Sequence, residues 1–70
     1  MTTIDRPRLL ARLRSLNSAG RRLLRAYAAE ESVRFGGSTR RNAYRAFLRG
    51  DLTPDIMRAR LRRWGAYIPA

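Results

Sequence analysis

The chain has 70 residues and contains neither cysteine nor histidine, which excludes disulfides, zinc sites of the usual kind, thiolate nucleophiles and imidazole acid-base chemistry. Sixteen basic residues, all of them arginine, face five acids, for a formal charge of +11. A chain this short makes one domain whose stability must come from helix packing or association, and a polyanionic partner is the simplest relief for its self-repulsion. Codon bias in a GC-rich genome accounts for arginine in place of lysine but not for the excess of bases over acids. Guanidinium is also the side chain whose planar fork matches phosphate.

Residues 1–4 read as a short frayed start. Asp5 can act as an N-cap and Pro7 falls in a first helical turn, where its missing N–H costs nothing. Leu9, Leu13, Leu16, Gly20, Leu23 and Tyr27 then recur at steps of four and three, with Leu10 and Leu24 widening the stripe. Arg8, Arg12, Arg14, Arg21, Arg22 and Arg25 fall on the other faces. The expectation is one amphipathic helix over 6–34, roughly 40 Å long at 1.5 Å per residue. Its weak point is Asn17-Ser18-Ala19-Gly20, all but Ala19 poor interior helix residues. Either Gly20 admits a close neighbour to a continuous helix, or the chain breaks into 6–17 and 20–34. The unbroken phase of the stripe favours continuity. The first 22 residues, arginine-rich and nearly free of acid, resemble a mitochondrial transit peptide. The stripe continues past any cleavage point into Leu23 and Tyr27, which ranks a mitochondrial matrix location second.

Glu30 stands four residues before Arg34, a spacing that allows a helix-surface ion pair. Glu30 and Glu31 are adjacent, so they point about 100° apart on a helix and do not converge as a catalytic pair would. A solvated face is expected. Gly36-Gly37 then turns the chain through a left-handed C-cap and lacks the surrounding sequence of a phosphate loop.

Ser38 or Thr39 can cap a second helix over 39–49. Ala43, Tyr44, Phe47 and Leu48 form its apolar face, and Arg41, Arg45 and Arg49 a basic ladder at four-residue spacing. Gly50 ends it. Thr53 as N-cap, Pro54 at N1, Asp55 in the first turn and a Leu52–Met57 hydrophobic staple start a third helix over 54–64. Met57, Leu61 and Trp64 share one stripe, Arg58, Arg60, Arg62 and Arg63 surround it, and Gly65 stops it. Tyr67, Ile68 and Pro69 form an apolar tail expected to fold back over the core. No stretch alternates with period two and nothing repeats. The fold expected is all-α, a single three-helix domain over 1–70 with a long N-terminal amphipathic helix followed by a helical hairpin. That hairpin has a helix-turn-helix layout, with Ala46, Gly50 and Ile56 at its small, turn and aliphatic positions. Arg45, Arg49 and Asp51 stand where the motif often has apolar residues.

For function, Asp5, Asp51 and Asp55 are explained as capping or first-turn residues and no serine has a base beside it, so a non-enzyme is expected, with no cofactor, metal or small-molecule substrate. No run has the length of a transmembrane helix, and a membrane surface is disfavoured because the fold needs the apolar faces. Placement of the charge points to DNA or RNA phosphates, met by Arg41, Arg45, Arg49, Arg58, Arg60, Arg62 and Arg63, in the cytoplasm or on the nucleoid. Tyr44, Phe47 and Trp64 are expected in the core, leaving Tyr67 open for stacking on bases. The rival class is a small accessory or structural subunit, of an enzyme complex or a virion. It would dock Leu9, Leu13, Leu16, Gly20 and Leu23 on an acidic protein or on a second copy of itself.

Overall fold

Four helices rather than three carry the chain in the computed structural model, which describes residues 5–69. They are α1 (Arg6–Arg14), α2 (Ser18–Phe35), α3 (Ser38–Arg49) and α4 (Pro54–Arg63). The fold is all-α, and no strand occurs among the described residues. The frayed start read at residues 1–4 lies outside them.

The long first helix is corrected to two, and the reason is the chemistry of residues 15–21. Asp5 caps α1 as expected, accepting the Arg8 N–H at 3.2 Å. At the far end the Ser15 hydroxyl donates to the Arg12 carbonyl at 2.5 Å. Asn17 then takes extended backbone, φ −75° and ψ 176°, and its side chain accepts the Gly20 N–H at 2.8 Å. Serine and asparagine bond nearby backbone more readily than they sit inside a helix, so both act here as helix ends. Arg21 closes the joint by donating to the Leu16 carbonyl just past the end of α1 at 2.6 Å and, at 3.3 Å, to the Leu13 carbonyl, which also accepts the Leu16 N–H at 3.1 Å. The close neighbour of Gly20 is Leu16 of its own chain, since a Cβ there would lie 3.3 Å from the Leu16 Cβ.

α2 is therefore about 27 Å long. It ends at Gly36, whose φ of 111° is open to glycine, although its ψ of 160° is extended and not the left-handed helical geometry expected. Neither Ser38 nor Thr39 caps α3. Gly37 already has helical φ and ψ, which puts both hydroxyls inside the first turn, and the Thr39 hydroxyl donates instead to the Gly36 carbonyl at 2.7 Å. The α3–α4 junction follows the sequence closely. Gly50 is left-handed at φ 84°, the Asp51 N–H reaches back to the Ala46 carbonyl at 2.9 Å, and Thr53 accepts the Ile56 N–H at 3.3 Å. Leu52 and Met57, the expected staple, are both buried.

α2 is the centre of the molecule, with α3 and α4 packed on it and α1 against α3, while α3 and α4 touch each other little. Leu23, Leu24, Tyr27 and Ala28 of α2 meet Ala43 and Phe47 of α3, and Leu52, Met57 and Leu61 complete the core. Ala66 and Ile68 of the tail pack against this cluster, but Tyr67 between them stays 79 % exposed. The Cα extents are 33 × 28 × 15 Å, a slab thin enough that much of every helix reaches water.

Candidate nucleic-acid interface

The seven arginines expected to bind phosphate do not behave as one set. Arg49 pairs with Asp51 at 3.0 Å and Arg58 with Asp55 at 3.6 Å. Arg60 crosses from α4 to α2, where it donates to the Tyr27 hydroxyl at 2.8 Å. Arg45 is half-buried, so the ladder of α3 is not evenly presented to solvent. Arg41, Arg62 and Arg63 are exposed and have no acid or hydrogen-bonding partner among the described residues. The guanidinium groups of Arg6, Arg8 and Arg14 on α1, Arg22 and Arg25 on α2, and Arg40 on α3 likewise have no such partner among the described residues. Unmatched guanidinium therefore lies on all four helices.

Every acid is already engaged. Asp5 caps α1, Glu30 holds Arg34 at 2.8 Å, and Asp51 and Asp55 hold the arginines just named. Glu31 departs from the solvated face expected of it, because it accepts the Tyr27 hydroxyl at 2.5 Å. Tyr27 is fully buried, and burial pushes its hydroxyl above the ordinary value of 10.0, reinforced by the Glu31 hydrogen bond and opposed by the one from Arg60. The Arg49–Asp51 and Arg58–Asp55 pairs lie in water, where such pairs contribute little and exchange readily for another anion.

An aromatic group not anticipated as a unit gathers where α2 and α4 end. Trp64 stacks on Tyr27 with centroids 5.7 Å apart, and Phe35 meets Trp64 edge-on at 5.5 Å. Arg34 covers the Trp64 ring at 5.5 Å and donates to the Trp64 carbonyl at 2.7 Å. Phe35 escaped the sequence reading because it closes a polar stretch, outside the leucine stripe. The available signal was a large apolar residue directly before Gly36-Gly37, at the last turn of a helix.

The stripe expected to dock is turned inward at its α2 end and partly open along α1. Leu23 and Gly20 are buried, Leu9, Leu13 and Leu16 are partly buried against the core, and Leu10 beside them is exposed. No helix among the described residues is long and apolar enough to cross a membrane. No family model, curated protein or solved structure matches the chain.

Proposed function

We infer that the chain is a non-enzymatic nucleic-acid-binding protein that contacts the phosphates of DNA or RNA through exposed arginines, working in the cytoplasm or on the nucleoid. The observation that carries this reading is the set of exposed arginines without acid partners on all four helices, beside acids that are each already engaged. Guanidinium spread over a thin slab suits backbone contact, which needs many donors and little aim. Base readout needs a few side chains directed into a groove. Arg41, Arg62 and Arg63 lead the site, Arg49 and Arg58 join it by releasing their carboxylates, and Arg60 stays with Tyr27.

The helix-turn-helix form of this reading would place the N-terminal part of α4 in the major groove, with Asp55, Arg58 and Arg62 at the bases. Two observations weigh against it. α3 and α4 touch little, and Asp55 would bring a carboxylate to the groove while holding Arg58 at 3.6 Å. The docking-subunit reading has less to carry it, because Gly20 and Leu23 of its stripe are buried.

Titration of a random-sequence duplex against salt tests the proposal. Log affinity should fall linearly with log salt by about 0.9 per phosphate neutralised, so roughly four contacts lower affinity about a hundredfold between about 50 and 200 mM. Replacing Arg41, Arg62 and Arg63 by glutamine should reduce that slope by up to about 0.9 each and leave helicity unchanged. No binding at low salt, or binding indifferent to salt, would overturn the reading.

A further inference from the structure

The aromatic stack at the end of α2 is only partly used by the fold. Tyr27 is wholly buried, Trp64 lies nearly parallel to it at 18°, and Phe35 stands at 65° to Trp64 with 61 % of its surface exposed. The ring behind Phe35 is held in place. Arg34 lies over Trp64, donates to its carbonyl at 2.7 Å and is itself fixed by Glu30 at 2.8 Å. Arg62 and Arg63, without acid partners among the described residues, immediately precede Trp64 in the chain. An open aromatic ring on a held mount, in a chain that presents unmatched guanidinium on every helix, is the combination that single-strand binders use. The arginines follow the backbone, and the ring takes a base face that duplex DNA keeps inside its own stack.

We propose that Phe35 is a base-stacking platform and that the ligand is single-stranded nucleic acid; this rests on the phosphate-binding reading above. A second copy of the chain is the rival occupant of the exposed ring. Charge decides against it, since self-association would bring together two chains of +11 each with no acidic surface to receive them.

The test compares a thymidine oligomer of about ten nucleotides with an abasic oligomer of the same length and phosphate number. Trp64, the single tryptophan, supplies the fluorescence signal, with a labelled oligomer as an independent readout. Wild-type protein should bind the thymidine oligomer roughly tenfold more tightly than the abasic one. Phe35→Leu should lose that preference while keeping its affinity for the abasic strand, and Phe35→Tyr should retain it. Equal affinity of the wild-type chain for both oligomers, or an unchanged preference in Phe35→Leu, overturns the platform and leaves phosphate binding standing. Failure to bind either oligomer removes both proposals. A native mass showing a dimer that Phe35→Leu disperses, with the oligomer preference intact, overturns the platform in favour of self-association. Should Phe35→Leu fail to fold, the wild-type comparison and Phe35→Tyr still decide the matter.

Discussion

Tyr27 is where the apolar core and the charged surface meet. Its ring is sealed among the helices while its hydroxyl donates to Glu31 and accepts from Arg60, so one side chain ties α2 to α4 and terminates a buried path in charge. Tyr27→Phe should therefore cost on the order of 1 kcal/mol near neutral pH, because the two freed partners are close enough to water to recover part of the loss. Since burial raises the folded-state value, the contribution of this group is fully present below the unfolded value of 10.0 and is lost as pH climbs through the raised one. Thermal melts at neutral pH and above pH 10 should show a smaller alkaline decline in Tyr27→Phe than in the wild type. Equal declines would show that other groups set it. Asn17 works at the same scale. Asn17→Ala removes the side chain that accepts the Gly20 N–H at 2.8 Å and should destabilise the chain by about 1 kcal/mol in a denaturant titration.

Among the elements, α2 bears the packing and α1 the least of it. Leu24 on α2 and Leu61 on α4 have no exposed surface, and truncating either to alanine should cost about 2–5 kcal/mol. That is comparable with the whole stability of a domain this small, so either variant should be largely unfolded by circular dichroism at physiological temperature. A folded Leu61→Ala protein would mean that the α2–α4 contact contributes much less than its burial implies. α1, in contrast, contains no fully buried residue. It is held by Leu9, Leu13 and Leu16 on the core, by Arg12 over the Phe47 ring at 5.6 Å and by the Arg21 joint. Its amides should exchange with solvent faster than those of α2, and hydrogen exchange equal in the two helices would show that α1 opens only with the whole fold.

At the scale of the molecule, electrostatics works against the fold. Among the described residues the Glu30–Arg34, Arg49–Asp51 and Asp55–Arg58 pairs, all at least partly in water, are set against a net charge of +11. Salt weakens both attraction and repulsion, but the repulsion is the larger sum, and raising ionic strength from about 0.01 to 0.15 M shortens the screening length from about 30 to 8 Å. The melting temperature should accordingly rise with sodium chloride, and rise further with a polyanion that binds the folded state. A melting temperature that falls with salt would show that the pairs outweigh the self-repulsion.

The helical character, the cap at Asp5, the Gly50–Thr53 junction and the charge surplus were all legible in order of residues, because caps, turn glycines and net charge are set by residues a few positions apart or by none in particular. The Glu30–Arg34 pair was legible for the same reason. Continuity of the first helix was misread at Asn17. Stripe phase survives a bend when the leucines on both sides still reach one core, so periodicity could not report the break that the Asn17 and Arg21 hydrogen bonds create. Glu31 and Tyr27 are four residues apart on one helix, within reach of the same local rule, whereas the partners of Arg60 and Phe35 lay beyond it, since Arg60 and Tyr27 are 33 residues apart and Phe35 meets Trp64 from another helix. Of the arginines already engaged, Arg34, Arg49 and Arg58 are held by acids two to four residues away, and Arg60 by a hydroxyl 33 residues away. Charge and the local acid pairs can be counted along a chain, but that a buried hydroxyl holds Arg60 depends on α4 packing against α2.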